Sequence, residues 1–211
     1  MRTTASRLVL IGTASCLLFA CDKPSSKNPP SSTNAVERKL SAREAYKLAT
    51  GAAKQWSPDS KLYSISQRGV LQELEASPNG ETTWDFADVK TGESRRWVFE
   101  FFSDKSLAVL FVDVLDGKAD SNEMSKFDKK PPSIPDNWID SVDVMKLARG
   151  AVEGDLKIGQ DKYMALSKLR MMEDGKPAWQ IEFYESQGDK PLYAVEVDGV
   201  SPKVLFKEKA K

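Results

Sequence analysis

The chain has 211 residues, with 31 basic and 31 acidic side chains, two cysteines and no histidine. Balanced charge argues against a nucleic-acid binder, a class that usually carries a concentrated basic surface. The missing histidine removes the commonest general base, the usual activator of a serine or cysteine nucleophile, and the commonest zinc ligand.

Taken in chain order, Arg2 and Arg7 precede an apolar run of thirteen residues, Leu8 to Ala20, too short to span a bilayer comfortably. The run ends in Leu18-Phe19-Ala20-Cys21. This resembles the bacterial lipobox, in which an aliphatic residue stands three before a cysteine and a small one just before it. A small residue is needed beside the cut, and the thiol accepts the acyl chain. The resemblance implies a lipoprotein signal peptide over 1–20 and lipid attachment at Cys21. The alternative is an ordinary secretory signal with an incidental cysteine. Cys16 lies inside the apolar run with Thr13 at the aliphatic position, and fits the pattern less well. Next comes Asp22 to Asn34, DKPSSKNPPSSTN, which has no apolar side chain. It cannot bury enough surface to offset ordering, so 21–39 is expected to be a disordered tether. At about 3.1 Å per residue its length allows a reach of about 40 Å from a membrane. Asp22 resembles the inner-membrane retention signal of enteric bacteria, which favours the inner over the outer membrane. Cleavage leaves 29 basic and 31 acidic residues, with Cys21 the only cysteine. No intrachain disulfide can then form, and stability must come from core packing.

The first predicted helix starts at Ser41, whose S-x-x-E spacing to Glu44 is a capping box. Ala45, Leu48, Ala49, Ala52 and Trp56 follow at helical spacing. A strand over Leu62 to Ser66 comes next, then an apolar segment around Val70, Leu71 and Leu74. A turn at Lys90-Thr91-Gly92 precedes the alternating strand Trp97 to Phe102, and the strand-like run Leu107 to Leu115 closes on Asp116-Gly117. Lys118 to Pro135 is polar and contains three prolines, which reads as a linker. Much of this pattern then recurs. Lys47 to Ala52 (KLATGA) returns as Lys146 to Ala151 (KLARGA) at an offset of 99, with Asp140 and Asp143 in the capping positions and Val144, Leu147, Ala148 and Ala151 in the stripe. Trp97-Val98-Phe99-Glu100-Phe101-Phe102 returns as Trp179-Gln180-Ile181-Glu182-Phe183-Tyr184 at an offset of 82, and Asp116-Gly117 returns as Asp198-Gly199. A last strand is expected over Lys203 to Phe206. Gly51 and Gly150 each cost a helix about 1 kcal/mol relative to alanine, so their recurrence suggests close contact with a sheet or an early helix end.

These matches predict an α+β fold of two tandem units, each one helix packed on a three- to four-stranded antiparallel sheet, since a small sheet alone leaves its apolar face wet. The expected boundaries are 40–117 for the first unit, 118–137 for the linker and 138–211 for the second unit. The element order, the W-x-[FI]-E-F strands and the strands ending near Asp-Gly resemble the PepSY-like, cystatin-like architecture in tandem. The organisation is also similar to the β-lactamase inhibitory proteins. The first unit carries 17 extra residues between Trp56 and Trp84. Two readings are open for them. They form either a longer hairpin over their own sheet or a binding loop, with Val70, Leu71 and Leu74 as anchors and Arg68 and Glu73 as rim.

Little in the chain suggests catalysis. Glu100 and Glu182 form a repeated pair, but in an alternating strand each points away from the phenylalanines beside it, and a solvated role outweighs a glycosidase-type dyad. The acidic run Asp113 to Glu123 lacks the ligand spacing of a calcium loop. Phosphate- or dinucleotide-binding glycine loops are absent, and the tryptophans Trp56, Trp84, Trp97, Trp138 and Trp179 mostly fall on core stripes. The expectation is a non-enzyme without cofactor or metal: a membrane-anchored envelope lipoprotein that binds a protein or peptide, an inhibitory role included. Family members are generally thought to restrain envelope proteins, proteases among them. The alternatives are a structural or accessory lipoprotein of an envelope assembly, and an enzyme of unrecognised type.

Overall fold

Ser41 fixes the start of α1 (Ala42–Trp56) with both halves of a capping box. Its hydroxyl accepts from the Glu44 amide at 3.2 Å, and the Glu44 carboxylate accepts from the Ser41 amide at 3.0 Å. Ala42, Ala45, Ala49 and Ala53 form the buried stripe, and their small side chains let the helix lie close on a sheet. The chain then forms β1 (Lys61–Ser66), β2 (Arg96–Phe102), β3 (Ala108–Leu115) and β4 (Lys118–Lys126). The second helix, α2 (Ser141–Val152), is followed by β5 (Tyr163–Met171), β6 (Pro177–Glu185), β7 (Pro191–Asp198) and β8 (Val204–Lys209). The computed structural model describes residues 37–67, 86–126, 128–157, 162–186 and 190–210. Cys21, Trp84 and the candidate loop residues Arg68, Val70, Leu71, Glu73 and Leu74 lie outside them.

The two expected helix-on-sheet units are not what the chain builds. Its strands join in a single eight-stranded antiparallel sheet, in the order β4-β3-β2-β1-β5-β6-β7-β8, and Val36–Lys211 cluster as one unit. The join is the pairing of β1 with β5, where Ser64, Ile65 and Ser66 stand opposite Arg170, Leu169 and Lys168. Left unpaired, β1 would offer a row of free amides and carbonyls along an apolar strand, a liability that pairing removes. Both helices lie on one face, α1 over β2 to β4 and α2 over β6 to β8. One core runs beneath them, and the Trp97 and Trp179 rings meet edge to face at 6.3 Å in its middle.

The repeated sequence survives as repeated bonding inside this one sheet. The Trp97 indole donates to the Leu40 carbonyl, and the Trp179 indole donates to the Ile139 carbonyl, both at 2.9 Å. Each tryptophan thereby holds the residue just before a helix cap. Those two helix starts also bond to each other. Asp140 Oδ1 accepts from its own Ser141 amide at 2.7 Å and from the Arg43 amide of α1 at 3.0 Å, while the Ser141 hydroxyl accepts from the Ala42 amide at 2.9 Å.

Three local expectations also change. Residues 118–126, expected to belong to the linker, form β4. Asp116 and Gly117 both take positive φ, 49° and 79°, and Leu115 pairs directly with Lys118, the two-residue hairpin that Asp-Gly favours. An outermost strand tolerates a polar, charged sequence, which is why its composition looked unlike a strand. The long strand β5 carried no separate sequence signal. Gly51 and Gly150, finally, make no close approach to the sheet, since a Cβ at either would meet no atom beyond its own helix within 4 Å; α1 runs on past Gly51 to Trp56, whereas α2 ends at Val152, two residues after Gly150.

Two stability tests follow from this geometry. Asp140→Ala leaves the Arg43 and Ser141 amides without their carboxylate, and should lower unfolding free energy in urea by about 1–3 kcal/mol. Among the glycines, Gly51→Ala and Gly150→Ala should each stabilise by about 1 kcal/mol. Gly92→Ala should destabilise, because its φ is +75° and an added Cβ would lie 2.5 Å from the Ser141 carbonyl oxygen.

Candidate functional site

Arg43, Tyr46, Thr50 and Lys54 sit at spacings of three, four and four residues, so they form one line along the side of α1. Residues 133–136 run opposite them. This segment is held to the sheet by the Ile134 amide, which donates to the Leu62 carbonyl at 2.8 Å. Between the two walls lies a groove of about 510 Å³, with Leu62 and Phe101 among its apolar residues. That volume falls within the range of small-ligand sites.

The cations of this groove are held by the protein itself. The Arg43 guanidinium lies 3.9 Å from the centroid of the Trp138 ring and donates to the Trp138 carbonyl. Lys54 Nζ donates to the Pro58 and Ser60 carbonyls at 3.2 and 2.8 Å. Lys61 Nζ bonds Asp104 at 2.9 Å, and Asp104 also meets Lys130 at 2.7 Å. The bond to Asp104 raises the Lys61 pKa, so this ammonium stays charged. Burial pushes the Tyr46 hydroxyl up, with the Asp136 charge acting in the same direction, so the phenol is a neutral donor. Asp136 is the one carboxylate among the lining residues. Fixed positive charge, hydroxyl donors and an apolar floor suit binding, and the lining holds neither a carboxylate pair nor a nucleophile beside a base.

The residues singled out from sequence that fall among the described ones do not gather here. Glu100 and Glu182 lie on the sheet face away from the helices, on β2 and β6, with β1 and β5 between them. Three strand spacings put their backbones at least roughly 14 Å apart, beyond the reach of a two-carboxylate mechanism. Glu182 instead accepts a hydrogen bond from the Tyr184 hydroxyl at 2.6 Å. In the acidic run, Asp113 pairs with Arg96 and Asp116 with Arg95. Among the described residues no group of three or more histidine, cysteine, aspartate or glutamate side chains is placed to hold a metal ion. Trp97, Trp138 and Trp179 are buried, and Trp56 donates to Glu123.

The groove had a signal in the sequence that went unused. Three polar or cationic residues and a tyrosine share one line of a helix whose buried stripe is alanine, and prolines 131, 132 and 135 stiffen the opposite wall. Comparison of the chain with family models, with curated proteins and with solved structures returns no match. The PepSY-like resemblance accordingly rests on its sequence motifs alone.

A carboxylate just beyond the groove gives a pH test. The Asp59 pKa is lowered to about 2, chiefly by the Ser57 hydroxyl, with help from Ser103 and the Lys105 amide. These bonds tie the loop after α1 to the turn between β2 and β3. A carboxyl depressed in the folded state stabilises above its unfolded value near 3.8, and that contribution fades as pH falls towards 2. Asp59→Asn should therefore melt earlier than the parent chain near neutral pH, with the gap closing as the buffer is taken down to about pH 2. Thermal melts at a series of pH values read this directly.

Proposed function

We propose that the chain is an envelope lipoprotein, anchored through Cys21, that works as a non-catalytic module binding a protein or peptide, and that the inner membrane is its site. The α1 groove carries this reading: its cations are held in place by their own bonds beside an apolar floor, an arrangement that recognises rather than reacts. The Leu18-Phe19-Ala20-Cys21 motif and the polar stretch after it support the anchoring. The resemblance to PepSY-like proteins points the same way, towards a partner in the envelope that is bound or restrained.

The experiment has two arms. Metabolic labelling with a clickable fatty acid should mark the protein and lose the mark in Cys21→Ser. A photoreactive benzophenone amino acid in place of Ser133, an exposed groove position, should give a discrete crosslinked adduct with an envelope protein or peptide. Label that persists in Cys21→Ser ends the anchoring assignment. Absence of any adduct, or a catalytic turnover lost in Glu100→Gln or Glu182→Gln with the fold intact, ends the non-catalytic binding assignment.

A further inference from the structure

The occupant of the groove can be narrowed by where its charges lie. We infer that it takes an extended acidic peptide segment of about five residues, with a carboxylate at each end and an apolar side chain between. This rests on the reading of the chain as a peptide-binding module and supplies the chemistry of the peptide. Arg43 stands at one end of the α1 wall, and Lys54 stands at the other. Eleven residues of helix at about 1.5 Å each separate them by roughly 16 Å. Lys61 joins Lys54 at its end, since the Lys54 ammonium is bonded to the carbonyl of Ser60, the residue before it. An extended chain rises about 3.3 Å per residue, so the first and fifth residues of a five-residue segment lie about 13 Å apart, with the first, third and fifth side chains on one face, and the reach of the two end side chains covers the remaining few ångströms. Carboxylates at the first and fifth positions then reach the two cationic ends. The third side chain falls between half-buried Tyr46 on one wall and exposed Pro135 on the other.

Charge favours this occupant over a neutral one. The lining holds Arg43, Lys54 and Lys61 against Asp136 alone, an excess of two positive charges. Asp104 offsets Lys61 but is itself shared with Lys130, so the end of the groove stays cationic. Because Arg43 and Lys54 are already fixed against Trp138 and the loop carbonyls, a ligand need not order them, which lowers the cost of binding. The hydroxyl of exposed Ser133 and the neutral Tyr46 phenol lie along the same walls, where they can meet peptide carbonyls and amides, while the Thr50 and Ser60 hydroxyls donate to the Tyr46 and Ala53 carbonyls. An anionic sugar polymer would satisfy the cations but would leave the apolar surfaces of half-buried Tyr46 and exposed Pro135 without a partner.

The test is fluorescence anisotropy on the full-length protein, with a fluorescein-labelled pentapeptide reading glutamate, alanine, leucine, alanine, glutamate. Saturable binding is expected. Replacing both glutamates by glutamine should weaken it by about tenfold or more, the loss of charge-assisted hydrogen bonds. Replacing the leucine by serine should weaken it as well. Lys54→Gln should raise Kd by about tenfold, and Ser133→Trp, which fills the groove from an exposed position, should abolish binding with an unchanged melting temperature. If Ser133→Trp melts early, Lys54→Gln decides alone. Equal affinity for the glutamine peptide overturns the proposal, as does binding indifferent to these variants or stronger competition by an anionic oligosaccharide. Failure of the pentapeptide while the position-133 crosslink still forms would sink the acidic-peptide chemistry and leave the binding-module reading standing. Failure of both would sink both.

Discussion

The structure turns on a carboxylate shared between two helix starts. A helix N-terminus presents unpaired amides and a partial positive charge, so two of them brought together repel unless something negative stands between. Asp140 stands there, accepting from the first amide of α2 and from the Arg43 amide of α1. The Ser141 hydroxyl adds a bond to Ala42. Much else follows from this contact. It sets the two helices end to end on one face of the sheet, which requires the strands beneath them to be continuous, and it brings Arg43 over Trp138 at the mouth of the groove.

The tryptophans carry the same constraint into the core. Trp97 and Trp179 each reach from a central strand to the carbonyl preceding a helix cap, so strand position and helix position cannot vary independently. Their rings touch, and Trp138 packs edge-on against both Trp179 and Tyr46. Tyr46 in turn lies over Phe99 and Phe101. Aromatic pairs at these separations add modest energy beyond their buried area. Their larger effect here is geometric, since the groove wall at Tyr46 is supported by the ring stack that joins the two halves of the sheet.

What the sequence revealed was local, and what it concealed was pairing. The Ser41–Glu44 box and the Asp140 cap could be read because capping needs particular residues at particular spacings. The Trp strands could be read because alternation of large apolar residues is visible over seven positions. The join between β1 and β5 could not: Ser64, Ile65 and Ser66 look the same whether their outer edge meets water or Lys168 to Arg170. That difference turned an expected pair of units into one sheet. Strand β4 escaped because an edge strand need not alternate. The binding-loop reading of Val70 to Leu74 rests on extra length carried by a fixed scaffold, beside the reading of the same residues as a hairpin, and both fall outside the described residues. The groove formed by Arg43, Tyr46, Thr50 and Lys54 needed the 133–136 wall, which is distant in sequence, to become visible as a site.

The join also sets the order in which the protein can assemble. β2 with β3 and β4, and β5 through β8, are hairpins whose partners lie close along the chain, so they can form early. The β1–β5 pairing couples Ser64 to Arg170, and the helix-start contact couples Arg43 to Asp140. Each must close a loop of about a hundred residues, for which the entropy cost comes before any contact is gained. During synthesis the first half therefore waits with the β1 edge open and one side of Trp97 uncovered until β5 and β6 arrive. A chain stopped before α2 would carry an intact first helix, hairpins and groove floor, yet have neither the carboxylate nor the strand that closes them into a fold.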